Sequence, residues 1–282
     1  MNEEEKMKKE LFESGYLREF SDINSASYKA IEKEICMCNF GDVDKINIIP
    51  ISDIHLGHRC CNKEKLLEII KFIERKPNTY TILLGDQFEC ATKSSVGMGP
   101  YEEEMNVGDQ LKWLYKALKP LAAKNKILGI CTGNHENRLT QFANIDPAQV
   151  LAEKLEVPYF GWQGYLSLLV GKNIYNVSAF HGAGGGTSKA SKMNASKKIK
   201  NIVNCDLYLS GHTHDKMQDE ELKYEFDLKS GKLVPSIKHF AVCGSFLEYW
   251  TSYPEMKALE PSITGSILIT LDGKKKEIKI YR

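Results

Sequence analysis

Pro50-Ile51-Ser52-Asp53-Ile54-His55-Leu56-Gly57-His58 is the stretch on which the reading of this chain turns. It overlaps the apolar, β-branched run Ile46 to Ile51, which predicts a fully buried strand, so Asp53 and His55 arrive together at the strand's carboxyl end. Open α/β sheets bind their ligands at that end. A single Asp-x-His describes many ordinary turns. Here the chain repeats the arrangement four more times.

Working outward, Lys63 to Arg75 carries Leu66, Leu67, Ile69, Ile70 and Ile73 and predicts an amphipathic helix ended by Pro77. Thr79 to Leu84 predicts a second buried strand, ending in Gly85-Asp86. After a glycine-containing segment without a period, residues 90–108, of the length used for lids, binding loops or disordered segments, Gln110 to Ala123 returns to helix. Lys126 to Cys131 is a third strand and ends in Gly133-Asn134-His135-Glu136. Pro147 to Leu155 is a further helix. The alternation argues βαβ units and a mainly parallel sheet. Beyond it, Tyr165 to Val170 and Ile174 to Phe180 suggest a hairpin whose second strand runs into His181-Gly182. Ser191 to Val203 reads as helix, and Leu207 to Ser210 as a strand that exits through Gly211-His212-Thr213-His214. Four more strands are expected at 223–228, 237–243, 266–271 and 277–281.

The chain has 282 residues, 42% hydrophobic and 27% charged, with a formal net charge of +1. That is enough for one large core or two modest ones, and it puts any attraction for a polyanion into local patches rather than a global field. No apolar run approaches the ~20 residues of a membrane span. With the charged start Met1-Asn2-Glu3-Glu4-Glu5-Lys6, the expectation is a cytoplasmic protein with no membrane contact. The eight cysteines, at 36, 38, 60, 61, 90, 131, 205 and 243, contain no Cys-x-x-Cys pair and read as reduced thiols used as small hydrophobes. Leu11, Tyr16, Leu17, Phe20, Tyr28, Ile31 and Ile35 give the first ~40 residues helix-like spacing. A helical extension over residues 1–42 and a catalytic domain over 43–282 are expected.

The strand exits collect Asp53, His55, Asp86, Asn134, His135, His181, His212 and His214, and six of the seven histidines lie in or beside them. Imidazole nitrogens, carboxylates and an amide oxygen suit Mn2+, Fe2+, Zn2+ and similar ions, and they are numerous enough for two sites sharing one carboxylate. Two such ions close together can bind both non-bridging oxygens of a phosphoester and activate a water for in-line displacement.

In its order of motifs the chain resembles the calcineurin-like metallophosphoesterase superfamily. The resemblance implies a four-layer α/β/β/α sandwich, two mixed sheets flanked by helices. It implies two divalent metal ions, Mn2+ foremost, with Fe2+, Zn2+, Ni2+ and Mg2+ as alternatives. Asp53, His55 and His214 would ligate the first, Asn134, His181 and His212 the second, and Asp86 would bridge them. His135 would be the catalytic histidine that protonates the leaving oxygen, beside attack by a metal-bridging hydroxide without a covalent enzyme intermediate.

Protein phosphatases of the superfamily carry Asp-Arg-Gly after their second motif. This chain reads Asp86-Gln87-Phe88-Glu89-Cys90-Ala91, which lacks that arginine, although Arg138 follows His135 closely. Ser52 to Gly57 is similar to the first motif of DNA repair exonucleases, Asp86 to Glu89 to UDP-diacylglucosamine hydrolases, and the glycine run after His181 to uncharacterised phage-encoded members. A phosphodiesterase or nuclease acting on DNA, RNA or a nucleotide is therefore expected, with a phosphomonoesterase, or a metal-containing adaptor without turnover, as alternatives. His58, Arg138, Gly184, Gly185 and Lys189 are candidate substrate contacts. The stretch His181 to Ser188 lets backbone amides approach an anion, and Lys189, Lys192, Lys197, Lys198 and Lys200 follow it. A solvated lysine face is the plainer alternative. Phe160, Trp162, Tyr165, Tyr249 and Trp250 could stack bases.

Overall fold

The computed structural model describes residues 6, 33–92, 95, 103–184, 186–250, 255 and 260–282. The chain divides into two units, Met1–Glu34 and Ile35–Arg282, and every element named below belongs to the second. The helical reading of residues 1–32 lies, Lys6 apart, outside the described residues.

In chain order the elements are β1 (Cys36–Asn39), β2 (Lys45–Ile48), α1 (Lys63–Arg75), β3 (Thr79–Leu84), α2 (Val107–Ala122), β4 (Ile127–Cys131), α3 (Asn134–Ala143), α4 (Pro147–Leu155) and β5 (Tyr159–Gly161). They continue with β6 (Gln163–Val170), β7 (Asn173–Phe180), α5 (Lys189–Ser196), a 3-10 turn (Lys197–Asn201), β8 (Leu207–Ser210), β9 (Lys216–Asp227), β10 (Lys232–Cys243), β11 (Leu268–Asp272) and β12 (Ile278–Tyr281). α1 starts where the Asn62 side chain accepts the Lys65 N–H, and α4 where Asp146 caps a helix whose first residue is Pro147.

The strands form two mixed six-stranded sheets, in the orders β1-β6-β7-β8-β10-β9 and β12-β11-β2-β3-β4-β5. Between them lies a core that includes Ile46, Ile82, Leu166, Val177, Leu209 and Ile269. A second core packs Leu66, Ile70, Leu114, Leu118 and Leu151, from α1, α2 and α4, on the outer face of the second sheet. A third, smaller one packs Met193 and Ile199 against Tyr208, Phe240 and Val242 of the first sheet. The layers are therefore helix, sheet, sheet, helix, as the resemblance implied. Burying side chains such as Leu66 or Ile73 contributes roughly 2 kcal/mol each.

Three readings of the sequence need correction. The first buried strand stops at Ile48, because Pro50 has no N–H to donate, although the Ile49 and Ile51 N–H groups still bond Tyr80 and Ile82. Residues 36–39, assigned to the helical extension, instead pair in parallel with Leu166–Leu169 as an edge strand. Asn134 to Ala143, read only as a strand exit, is a helix. All eight cysteines are free thiols, and Cys60 and Cys61 are buried. No helix among the described residues is long and apolar enough to cross a membrane.

Candidate metal centre

The loops that leave β2, β3, β7 and β8, together with the first turn of α3, bring seven side chains to one edge of the paired sheets. Asp53, His55, Asp86, His212 and His214 all have positive φ, between 49° and 68°. Non-glycine residues rarely adopt this left-handed region, and such strain concentrates where a side chain must be aimed.

Asp53, His55 and His214 form one cluster of converging ligand atoms, and Asp86, His181 and His212 another. In the first, His214 Nε2 lies 3.3 Å from Asp53 Oδ1 and 3.2 Å from His55 Nε2. In the second, His181 Nε2 lies 3.1 Å from Asp86 Oδ2, 3.0 Å from Asn134 Oδ1 and 3.3 Å from His212 Nδ1. Asp86 Oδ2 also stands 4.0 Å from His55 Nε2, so this oxygen lies between the clusters. Its partner oxygen, Oδ1, accepts the His135 N–H at the start of α3 (2.9 Å).

The surroundings fix these groups. His55 Nδ1 donates to Glu89 Oε2 (3.0 Å) and His181 Nδ1 to the Leu84 carbonyl (2.9 Å), so on each ring Nε2 is the nitrogen left to face inward. Asp53 accepts the Ser52 hydroxyl and the His212 N–H. Glu136, fully buried, accepts three N–H groups, from Asp86, Phe88 and Gly133, each at 3.0 Å. It thereby ties the loop after β3 to the loop after β4. A Cβ on Gly133 would collide with the Asp86 carboxylate, so only glycine fits there.

Burial alone would raise the pKa of the Asp53 carboxyl, but His214 and His181 hold it down at about 2, and Asp86 is likewise held well below its ordinary range. Burial, helped by repulsion from His135, lowers His55 to about 4 and keeps it neutral. His181 goes the other way: burial opposes its charge, yet Asp86 and Asp53 raise it to about 10. Among the described residues, neither Asp53 nor Asp86 has a lysine or arginine partner, and both face imidazole nitrogens. Two buried carboxylates without a fixed cation are costly. Inward-facing lone pairs of imidazole, amide and carboxylate are what a divalent ion requires. The residues present therefore fit a divalent metal site.

His55, Glu89 and His135 also converge, but this grouping supports the site rather than adding an ion position, because the His55 nitrogen facing Glu89 already donates to it. His135 Nδ1 donates to the Glu89 carbonyl (2.9 Å), and its Nε2 accepts from Arg138 Nη2 (2.9 Å). Burial opposes charge on His135, while Asp86 and Glu89 raise its pKa overall.

All seven expected ligands, together with His135 and Arg138, thus stand at one site. His58 is buried in the turn after His55, its Nδ1 accepting the Cys60 N–H. Lys189 is exposed and paired with Glu260 (3.6 Å), and Gly184 is an exposed loop glycine with φ +89°. Gly185 lies outside the described residues. Of the expected basic run, Lys192 pairs with Asp215, Lys197 with Asp219 and Glu221, and Lys200 with Glu221. Phe160 belongs to the core, whereas Trp162 and Trp250 are exposed. Sequence reasoning gave no role to Glu89 or Glu136. Their places three residues after Asp86 and one after His135 were the available signals.

The family model described as calcineurin-like phosphoesterase matches residues 46–216. No curated protein sequence matches the chain. Similar solved structures include a conserved uncharacterised protein, a predicted phosphoesterase, from Streptococcus pneumoniae, 11% identical with a TM-score of 0.37, over 84% of this chain and 90% of that one. A hypothetical protein from Pyrococcus horikoshii is 10% identical with a TM-score of 0.41, over 84% and 87%. The anchor protein in the inner membrane complex of Plasmodium is 11% identical with a TM-score of 0.38, over 85% and 89%. The matched family span takes in more than half of the chain and every side chain of the two clusters, so this protein belongs to the calcineurin-like phosphoesterases and is a metal-dependent phosphoester hydrolase.

Proposed function

We propose that the site is a two-metal phosphodiesterase centre acting on nucleotides or on the phosphodiester bonds of a nucleic acid strand. Asp53, His55 and His214 hold one ion, with Mn2+ the expected metal, and Asn134, His181 and His212 hold the second. The observation that carries this reading is the position of Asp86 Oδ2, within 3.1 Å of His181 Nε2 and 4.0 Å of His55 Nε2. When bound, the ions supply Lewis-acid charge and a water of lowered pKa.

The chain's own residues do the rest. Glu89 and the Leu84 carbonyl fix the tautomers of His55 and His181, and Glu136 holds the Asp86 loop in place. His135 keeps its Nδ1 proton on the Glu89 carbonyl, which leaves Nε2 as the atom that delivers a proton to the leaving oxygen. Arg138 now donates to that nitrogen. A phosphate oxygen is a stronger acceptor than a neutral imidazole. Substrate binding therefore draws the guanidinium onto the anion and frees His135 Nε2 to carry its proton.

Gln87, where protein phosphatases carry their arginine, turns inward and donates to the Cys131 carbonyl, so it offers no charge to a dianionic monoester. The carboxylate pairing of Lys192, Lys197 and Lys200 removes most of the expected polyanion track, which favours a nucleotide-sized diester over a long strand. Arg138 keeps a phosphomonoesterase as the second reading, because one guanidinium beside the general acid also suits a terminal phosphate.

The test is hydrolysis, with Mn2+, of bis(p-nitrophenyl) phosphate, p-nitrophenyl phosphate and end-labelled single- and double-stranded DNA, beside Asp86→Ala and His135→Ala. Diester cleavage by the wild type, abolished in Asp86→Ala, is expected. His135→Ala should lose on the order of 10²-fold or more on DNA, whose leaving group needs a proton, and much less on p-nitrophenyl esters. Cleavage of the monoester alone would shift the assignment to the second reading. No turnover of any ester across Mn2+, Zn2+, Ni2+ and Mg2+ would sink the two-metal proposal.

A further inference from the structure

The β9–β10 hairpin outruns its sheet. β8 pairs only with His239–Val242 of β10, whereas β10 and β9 pair without a break from Cys243 and Lys216 out to Lys232 and Asp227. Residues 232–238 and their β9 partners therefore form an arm that extends about 20 Å past the start of β8. His212 follows the other end of β8, so the arm points away from the metal centre.

Directly opposed residues of an antiparallel pair share one face. Leu222 opposes Ile237, Tyr224 opposes Pro235 and Phe226 opposes Leu233, so these six make one continuous apolar face. It is open to solvent, with Phe226 84% and Tyr224 63% exposed. The same face, nearer the sheet, buries Ala241 and Cys243 against the second sheet, and the pair Glu220–His239 (3.2 Å) marks where that cover ends. The opposite face carries Glu221, Lys223, Glu225, Asp227, Lys232 and Lys238. Two of its acids are matched by cations within the chain, Glu221 by Lys197 and Lys200, and Glu225 by Lys238.

We propose that this apolar face packs on the same face of a second copy, making a two-fold dimer of stacked arms. The patch has no charged member, so a nucleic acid or a charged peptide finds no counter-charge on it. What the face lacks is the layer that the second sheet supplies to the rest of the first sheet, namely another apolar sheet face at the usual spacing. A two-fold axis supplies that layer because an isologous contact needs one self-complementary patch. With the axis near Tyr224, the Leu222–Ile237 end of one arm meets the Phe226–Leu233 end of the other. Other large exposed apolar side chains among the described residues, such as Phe72, Phe142, Trp162 and Ile263, are scattered over separate segments. Patches as continuous as the arm's mark association sites.

Sedimentation velocity on the full chain tests this, comparing the wild type with Leu222→Glu/Phe226→Glu and with Lys223→Glu, which alters the opposite face. The wild type and Lys223→Glu should dimerise, and the double variant should sediment as a monomer. Unchanged circular dichroism and unchanged bis(p-nitrophenyl) phosphate turnover per chain would show the double variant to be folded, since the arm lies outside the site. A wild type that stays monomeric at about 100 μM, or a folded double variant that still dimerises, would overturn the proposal.

Discussion

Glu89 Oε2 accepts the Nδ1 proton of His55 at 3.0 Å, so a carboxylate that belongs to neither cluster sets which nitrogen of His55 points into them. Such outer partners fix ring orientation and raise ligand basicity. Glu89 is itself held low in pKa, with burial opposed by His135 and His55, and it stays anionic.

Glu89→Ala should therefore weaken binding of Mn2+ about 10- to 100-fold without removing a ligand. Isothermal titration of the metal-free protein reads this directly, independent of turnover. Affinity equal to wild type would mean that His55 is oriented by something other than Glu89.

Gly133→Ala forces a Cβ into the Asp86 carboxylate. Overpacking of this kind costs about 1–3 kcal/mol, and here it pushes on Oδ1 of the carboxylate whose Oδ2 lies between the clusters. Both a lower unfolding midpoint and lost metal affinity are expected. Gly231→Ala, at φ +63° with nothing within 4 Å, is the control: it should cost about 1–2 kcal/mol of backbone strain and leave metal affinity alone. Equal effects on metal from the two variants would show that the fault at Gly133 is not local.

Why some of this was legible in the sequence is plain from individual elements. Lys63–Arg75, Thr79–Leu84, Pro147–Leu155 and Leu207–Ser210 have the bounds expected of them, because a helix period with caps, or a short apolar run closed by glycine, leaves little choice. The positions of the clustered side chains were readable for the same reason, since each follows such a strand. α3 was not, because of its ten residues only Glu136 is buried and no apolar stripe marks it. The first half of β9, Met217-Gln218-Asp219-Glu220-Glu221, has little strand propensity and is held by its pairing with β10, a long-range fact. The partners of Lys192, Lys197 and Lys200 are carboxylates 21 to 24 residues away, which no local pattern reveals.

Cys36 and Cys38 lie on one side of β1 with their sulfurs 3.9 Å apart. The hydrogen bond from Cys38 outweighs burial and lowers the Cys36 thiol to about 7, while Cys38 itself is pushed far up. A lowered thiol pKa means more thiolate at neutral pH, so alkylation of Cys36 by iodoacetamide should rise to half its maximal rate near pH 7. Cys38→Ser, whose hydroxyl can still donate, should keep that midpoint below an ordinary thiol's, and Cys38→Ala should move it up toward one. Peptide-resolved mass spectrometry across pH 6 to 9.5 (about the range of free thiols) checks it. A midpoint that stays put in Cys38→Ala would show that the two sulfurs do not interact.

Lys192, expected from sequence to face a polyanion, is buried on α5 and pairs with Asp215 at the exit from the last metal motif. Both side chains are shielded from water, so removing one leaves the other charge without compensation. Lys192→Met should destabilise the protein by roughly 3–5 kcal/mol, whereas Lys192→Met/Asp215→Leu, which removes both charges and keeps apolar volume, should cost much less. Urea unfolding of the wild type, both single variants and the double variant gives the coupling as a cycle. If the pair is structural, as its burial argues, the salt dependence of any DNA binding will be the same in wild type and double variant. A slope reduced by about one in the double variant would instead return Lys192 to the substrate path.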